Sequence, residues 1–184
     1  MYAPLFQSIT DPQLATDALR DRPYGVIEIA DAALRRILLR PFPKLISLPE
    51  IVVLGRWQHR YRAGDRCQLY YNQPRGHRNF LALKYVVSSA NTSFASFRLA
   101  LRVLDEIARI KRTDALLCDA SNLRISDRLL ARWGWQPHRP QPWRRNFIKR
   151  FYGDFPPALD WHADCGVGLS KSVGGPASRA AAQN

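Results

Sequence analysis

The side chains best suited to chemistry lie in residues 135–152, WQPHRPQPWRRNFIKRFY. Five Arg or Lys side chains are interleaved there with two Trp, two Phe and one Tyr. Cationic side chains contact phosphates and aromatic rings stack on bases, so this mixture is typical of surfaces that bind single-stranded nucleic acid. If residues 144–152 form a strand, however, its alternation places about half of these rings in the core. Nucleic-acid binding is therefore one hypothesis that the sequence leaves open.

The distribution of charge also indicates an anionic partner. The formal net charge is +13, and residues 51–150 carry 20 basic and 6 acidic side chains. Of the 28 basic residues 23 are Arg, whose planar guanidinium binds phosphate and carboxylate groups through paired hydrogen bonds. A polyanion such as nucleic acid or a phosphate-rich cofactor fits this composition, although an Arg-rich surface can also serve solubility alone.

Side chains that bind metals or act as nucleophiles are sparse. Cys67, Cys118 and Cys165 are far apart and form no CxxC pair, which argues against a disulfide framework or a zinc site. His162 and Asp164 stand close to Cys165, yet this is the only tight cluster of metal-ligand types, so we expect no metal. The sequence has no P-loop, no GxGxxG and no GxSxG motif.

The sequence has no segment suited to a membrane or to export. Its first residues, MYAPLFQSITDPQ, lack a basic stretch followed by a long apolar run. No run of about 18 apolar residues occurs anywhere. Together with unpaired cysteines, this predicts a cytoplasmic protein that does not associate with membranes.

The elements that must position these side chains begin with two predicted helices and a meander. The segment Thr10-Asp11-Pro12-Gln13 has the form of a capping box, which predicts a helix over 10–20. Leu34, Ile37 and Leu38 share one helical face, which predicts a second helix over 31–40. Short β-prone runs separated by turns then predict three antiparallel strands, at 51–61, 66–72 and 79–89.

The second half of the chain is predicted to alternate strand with helix. The last strand of the meander is apolar on both faces, which indicates a central position in the sheet. Apolar side chains recur at helical spacing over 94–110, and 115–119 is a short apolar strand. Residues 80–119 therefore predict a strand–helix–strand crossover with parallel strands. A helix that stops at Gly134 and a final strand at 144–152 follow.

The predicted fold class is thus α/β with a mixed sheet: an antiparallel meander, a strand–helix–strand crossover, a helix and a closing strand. We expect one domain over 1–158, of which 1–45 form an N-terminal helical part. The remaining residues, 159–184, are mostly small and polar, which predicts a disordered C-terminal tail.

Within this order of elements, residues 121–135 carry a recognisable motif. It consists of a polar amide, a small residue, a leucine pair, a basic residue and a glycine–aromatic pair: Asn122, Ser126, Leu129-Leu130, Arg132 and Gly134-Trp135. The motif resembles the late motif of the GNAT superfamily, whose members transfer an acyl group from a coenzyme A thioester to an amine. The order of elements over 50–152 is also similar to that of the family.

The resemblance implies that the chain binds acetyl-CoA or another acyl-CoA as co-substrate, with an amine or an anionic acceptor as partner. The family holds the coenzyme A pyrophosphate in a glycine-containing loop before the long helix. The corresponding loop here is SSANTS, residues 88–93, without glycine. The implied cofactor-binding residues are Ser89, Asn91, Thr92, Ser93 and Arg98 from this region, and Asn122 and Ser126 from the motif. A turn or helix cap is the alternative role for Asn122.

The resemblance also implies catalytic roles. Many family members use a tyrosine to protonate the departing thiolate, and Leu130 stands at that position here. Tyr152 and Tyr85 are the available substitutes, and packing is their alternative role. Asp119, at the end of its predicted strand, is the implied general base, with an acidic loop cap as the alternative. Besides acyl transfer, a non-catalytic binding module of the same fold and a basic nucleic-acid-binding protein stay open.

Overall fold

The described candidate residues lie on one sheet and on the loops and helices that connect its strands. The computed structural model describes residues 6–42, 64–120, 125–138 and 144–166. Within these ranges the chain forms a mixed sheet of eight strands together with three helices. The strands are β1 (Gln7–Ile9), β2 (Tyr24–Ala30), β3 (Ala33–Arg40), β4 (Arg66–Asn72), β5 (Phe80–Ser88), β6 (Ala115–Asp119), β7 (Gln136–Pro137) and β8 (Asn146–Arg150). The helices are α1 (Thr16–Asp21), α2 (Phe94–Ile110) and α3 (Asp127–Arg132).

The sheet has the strand order β1-β3-β2-β4-β5-β6-β8-β7. Each neighbouring pair is antiparallel except β5 and β6, which run parallel and are connected by α2. The predicted α/β class, the mixed sheet and the strand–helix–strand crossover are therefore confirmed. The predicted strand at 51–61 lies outside the described residues.

Helix α2 covers the sheet and forms as its sequence predicts. Ser93 caps its first turn, because the Ser93 hydroxyl accepts a hydrogen bond from the Ser96 amide at 3.1 Å. The apolar side of the helix is buried in a core that also contains the inward-facing side chains of β2, β4, β5 and β6. The central strand β5 is thus packed on one face and paired on both edges over its first half.

The predicted helix over 31–40 is wrong, because these residues form β3 and pair with β2. Asp31 and Ala32 make a two-residue turn with φ of 54° and 55°, the conformation that tight hairpins require. The apolar positions fit a helical period, but in the strand Ile37 and Leu39 point into the core while pairing supplies the backbone hydrogen bonds. The N-terminal part over 1–45 is therefore mainly strand where it is described, and its single helix is α1.

The predicted capping box does not form either. Helix α1 begins at Thr16, and its N-cap residue, Ala15, makes no side-chain cap hydrogen bond. The Asp11 carboxylate instead accepts a hydrogen bond from the Gln13 amide at 3.0 Å, within a turn that precedes the helix. The helix is thus shorter than the predicted span of 10–20.

The ordered part of the chain continues beyond the predicted boundary at 158. Leu159, Trp161 and Cys165 are buried in the core. The Leu34 amide of β3 donates a hydrogen bond to the Cys165 carbonyl at 2.8 Å, which fixes this segment to the sheet. The prediction of a tail starting at 159 is therefore wrong for 159–166, and residues 167–184 lie outside the described residues. None of the helices in the described ranges is long and apolar enough to cross a membrane.

Candidate functional site

The sheet opens between its two parallel strands. Pairing of β5 with β6 runs from Phe80 with Ala115 to Leu83 with Cys118 and then stops. In the described ranges Asp119, the last residue of β6, pairs with β8, and β5 continues to Ser88 alongside β4. Beyond Leu83 the described part of the sheet therefore has no strand on the β6 side of β5, at the carboxyl end of the parallel pair, which is where open α/β sheets place their ligands. We refer to this opening, beyond Leu83 and Cys118, as the β5–β6 gap.

A β-bulge lies at the point where the gap begins. Tyr70 of β4 pairs with Tyr85, but the next residue, Tyr71, pairs with Leu83, so Lys84 is an extra residue in β5. A bulge bends its strand and redirects the following side chains, and bulges are frequent beside functional sites. After the bulge, Val86 is paired with Leu69 and so shares its face of the sheet, beneath α2.

The gap has apolar side chains along the face that carries α2. Val86 is 38% exposed and Phe94, at the start of α2, is 57% exposed. The Trp133 ring, just after α3, contacts both Phe94 and Phe97, with ring centroids 5.7 and 5.4 Å apart. These aromatic contacts join the end of α3 to the start of α2 beside the gap.

The loop between β5 and α2 is tied to the start of β4 by its own side chains. The buried Ser89 hydroxyl donates to the Gly64 carbonyl at 2.6 Å. The Thr92 hydroxyl donates to the Arg66 carbonyl at 2.6 Å. Ser89 and Thr92, two of the residues predicted to bind the cofactor, thus use their hydroxyls for contacts within the chain.

The amino end of α2 is occupied by a carboxylate of the chain itself. Asp65 accepts hydrogen bonds from the Ser93 amide at 2.9 Å, the Ser93 hydroxyl at 2.6 Å and the Ser96 hydroxyl at 2.7 Å. Burial alone would raise the pKa of Asp65, but these hydrogen bonds outweigh burial and hold the pKa below its ordinary value. Asp65 thus places negative charge where the resemblance implies a phosphate.

Asn91 and Arg98, the other predicted residues of this region, are exposed. Arg98 is one turn after Phe94 on the same side of α2, so it lies beside the gap. Asp65 was not among the functional residues predicted from the sequence. Its local sequence, Ala-Gly-Asp, gives no signal of a partner 28 residues later.

The two predicted catalytic residues lie at opposite ends of β6. Asp119 ends the strand and is exposed, with its carboxylate 3.8 Å from the Arg144 guanidinium. Tyr152 follows β8, and its amide donates to the Asp114 carbonyl, just before the first residue of β6, at 3.3 Å. A five-residue strand spans roughly 13 Å, so the structure does not bring the two side chains together.

Two further positions were considered for the proton donor, and neither side chain faces the apolar side of the gap. Leu130, at the position of the family tyrosine, is buried against the core. Tyr85 packs edge-on against Tyr70, with ring centroids 6.5 Å apart. Cys118 is at the start of the gap, where burial and then the charge of Asp119 raise the pKa of its thiol to about 12. This thiol is therefore protonated at neutral pH and is a poor nucleophile.

The late motif builds a helix end in the way its residues predict. Ser126 caps α3, because its hydroxyl accepts a hydrogen bond from the Leu129 amide at 3.2 Å. Gly134 has a φ of +83°, the left-handed conformation typical of the residue after a helix. The Trp135 amide then donates to the Leu130 carbonyl at 3.1 Å. Asn122 lies outside the described residues.

The aromatic side chains of the segment at 135–152 are mostly part of the core where the segment is described. Trp135, Phe147 and Phe151 are buried, and their faces are unavailable for stacking on bases. Tyr152 is the exposed aromatic side chain of the described part of this segment, which excludes 139–143. These rings are thus explained by packing, as the alternation of the strand predicted.

The described residues thus form one candidate site at the carboxyl ends of the parallel strands. Its walls are apolar, and the helix beside it, α2, has Asp65 hydrogen-bonded at its amino end. Within the described ranges, no group of three or more His, Cys, Asp or Glu side chains is placed to hold a metal ion. We compared the chain with family models, with curated proteins and with solved structures, and none of them matches it.

Proposed function

We propose that this protein is a GNAT-like binding module whose ligand is the acyl-pantetheine part of an acyl-CoA, and that it does not catalyse acyl transfer. The observation that carries the proposal is the end of β5–β6 pairing at Leu83 and Cys118, while β5 continues to Ser88. It leaves a strand edge and an apolar surface open at the same place.

The chemistry of the gap suits an extended chain that contains amides. In the described part of the chain, residues 85–88 pair with β4 on one edge and with no strand on the other. A pantetheine arm carries two amide groups at extended spacing, so it can hydrogen-bond to such an edge much as an added strand does. Val86 and Phe94 supply apolar contact for its methylene groups and for the acyl chain.

The phosphates of coenzyme A are expected to contribute less than the pantetheine arm. The Asp65 carboxylate accepts the hydrogen bonds at the amino end of α2, and a phosphate approaching this end would meet its negative charge. Arg98 and Lys84 are exposed and can attract the phosphates only through solvent. Recognition therefore depends on the arm rather than on the nucleotide.

The absence of catalysis follows from the placement of the acid and the base. General acid–base catalysis requires both groups within hydrogen-bond reach of one reacting centre. Asp119 and Tyr152 are at opposite ends of β6, and Leu130 cannot donate a proton. Tyr85 is near the same end as Asp119, but its ring packs on Tyr70, on the face of the sheet opposite Val86. A bound acyl thioester is thus expected to be held without being transferred.

The proposal is tested by comparing three ligands in thermal unfolding: acetyl-CoA, S-acetylpantetheine and 3′,5′-ADP. At about ten times its dissociation constant, a ligand that binds only the folded state stabilises it by about 1.4 kcal/mol. For a domain of this size that raises Tm by about 3–6 °C. We expect similar shifts from acetyl-CoA and S-acetylpantetheine and none from 3′,5′-ADP. A shift from 3′,5′-ADP alone, or turnover of acetyl-CoA with an amine, would contradict the proposal.

A further inference from the structure

Two residues with unfavourable backbone conformations lie together at the end of the sheet away from the gap. Among the described residues four non-glycine positions have positive φ, and Asp31 and Ala32 are explained by the hairpin turn. The other two are Arg112, with φ of 53°, and Tyr152, with φ of 47°. Arg112 follows the end of α2 and Tyr152 follows β8, yet both line the same cleft.

Both conformations belong to hydrogen-bonded turns of the fold. At the end of α2 the Arg112 amide donates to the Arg109 carbonyl and the Thr113 amide to the Ala108 carbonyl, each at 3.0 Å, the pattern of a helix that ends in a left-handed residue. After β8 the Asp154 amide donates to the Phe151 carbonyl at 2.8 Å, which closes a turn with Tyr152 and Gly153 at its centre. The position after a helix favours glycine, and so does the left-handed turn before Gly153. Glycine would adopt either conformation with less strain, so the turns themselves do not require a side chain at these positions. Tyr152 is 73% exposed, so its ring is accessible to a ligand.

The cleft beside these residues has the size of a ligand site. Its volume is about 490 Å³, within the range of about 300–1,000 Å³ that small-molecule sites span. Its walls include Arg109, Arg112, Asp114, Tyr152, Gly153 and Phe155. It lies at the amino end of β6, whereas the gap lies at the carboxyl end.

The charged groups of the cleft differ in how firmly they are held. The Arg109 guanidinium is fixed by a bidentate contact with the buried Glu106 carboxylate. The side chain of Arg112 makes no hydrogen bond or ion pair with any residue in the described ranges, so it is available to an anion. The Asp114 carboxylate accepts a hydrogen bond from the side-chain amide of Asn79 at 3.0 Å, and its other oxygen can accept one from a ligand.

We propose that this cleft binds a nucleoside phosphate. The exposed Tyr152 ring offers a surface on which a base stacks, and Phe155 adds a second aromatic wall. Arg112 binds the phosphate, with Arg109 contributing charge. Asp114 accepts a hydrogen bond from a base amino group or a ribose hydroxyl. The net charge of +13 favours a phosphate over a neutral aromatic ligand.

The test is isothermal titration with AMP and with a 5′-phosphorylated RNA hexamer. Variants Tyr152→Gly and Arg112→Gly place glycine at the two unfavourable positions, so their Tm should equal or exceed that of the unchanged protein. Each should nevertheless bind AMP at least about tenfold more weakly, because stacking and a charged phosphate contact are each worth that much. Tyr152→Phe keeps the ring and should bind normally, as should Arg75→Ala, which removes an exposed charge elsewhere.

The outcomes separate the proposal from its competitors. Equal affinity for AMP and the hexamer identifies a free nucleotide as the ligand, whereas hexamer binding that is much tighter and steeply salt-dependent identifies a single strand. Either result supports a nucleoside phosphate. Failure of both ligands to bind at millimolar concentration overturns the proposal, and so does unchanged affinity in Tyr152→Gly. If Tyr152→Gly lowers Tm, Tyr152→Asn takes its place, because Asn also tolerates positive φ. The proposal requires that Tyr152→Asn also binds AMP more weakly.

Discussion

Replacing Asp65 with Asn removes the negative charge at the amino end of α2 while nearly preserving the shape of the side chain. The carboxylate accepts three hydrogen bonds through its two oxygens, from the Ser93 amide, the Ser93 hydroxyl and the Ser96 hydroxyl. An Asn side chain has only one oxygen acceptor, and its amide nitrogen would face a hydroxyl that now donates. The change therefore weakens the connection between the start of β4 and α2.

The size of the effect follows from these contacts. Hydrogen bonds to a charged group contribute about 1.5–3 kcal/mol each and neutral ones about 0.5–1.5 kcal/mol. Loss of the favourable charge at the helix end adds about 0.3–1 kcal/mol. Because Asp65 is only partly buried, solvent lowers these values, and we expect the free energy of unfolding to fall by about 2 kcal/mol. Tm should then fall by about 4–8 °C.

The effect should depend on pH in a defined direction. The folded-state pKa of Asp65 lies below its ordinary value of about 3.9, so the unfolded state binds the proton more readily. The stabilisation is thus fully present above about pH 5 and is lost as pH falls through the lowered pKa. Urea unfolding of both proteins at pH 7 and near pH 3 measures this difference, with the exposed Asp17→Asn as the matched control. A difference under about 0.5 kcal/mol at pH 7, or one that does not shrink in acid, would refute this account of the helix end.

The remaining predictions concern ligand preference, a buried tyrosine and the glycine beside it, and a buried lysine. Asp65→Asn should raise the affinity for acetyl-CoA but not for S-acetylpantetheine in calorimetric titration, because only the former carries phosphates that the carboxylate repels. The buried Tyr71 hydroxyl has no hydrogen-bond partner among the residues that the structure describes, so Tyr71→Phe should leave the free energy of unfolding unchanged or raise it by about 1 kcal/mol. Gly25→Ala should lower it in the same denaturation assay, because the new methyl group would collide with the Tyr71 ring. Burial lowers the pKa of Lys111 to about 8, although its ammonium donates to the Arg20 and Arg22 carbonyls. The unfolded chain keeps this proton up to about pH 10.4, so the free energy of unfolding of the unchanged protein, relative to that of Lys111→Met, should rise between about pH 8 and about pH 10.4. If this difference between the two proteins falls or stays constant, burial does not lower the pKa of Lys111 as stated.

The elements that depend on neighbouring residues could be predicted from the sequence. The helix over 94–110 has an apolar stripe and a serine cap. Both signals are local, because each depends on residues no more than about four positions apart in the sequence. The same holds for Gly134, whose left-handed conformation follows from its place after a helix. The strand at 33–40 was not predictable in this way, because its apolar spacing also fits a helix and only pairing with β2 decides between them.

The features that define the candidate site depend on residues distant in the chain. The β5–β6 gap results from a register that ends at Leu83 and Cys118, and the register is set by packing rather than by either strand alone. Asp65 reaches α2 from the start of β4, which no local pattern indicates. Arg112 and Tyr152 line the same cleft because β6 and β8 are paired, which brings the start of β6 beside the end of β8.

The measurement that tests the central claim most directly is the affinity of S-acetylpantetheine for the unchanged protein and for Val86→Trp. Val86 is exposed in the gap, so a larger ring there should fill the space without disturbing the core. We predict that Val86→Trp binds at least about tenfold more weakly at unchanged Tm, a loss of about 1.4 kcal/mol. Leu14→Trp, a similar enlargement at an exposed residue before α1, should bind normally. Equal affinity of Val86→Trp and the unchanged protein, or no binding to either, would contradict the assignment of the gap as an acyl-pantetheine site.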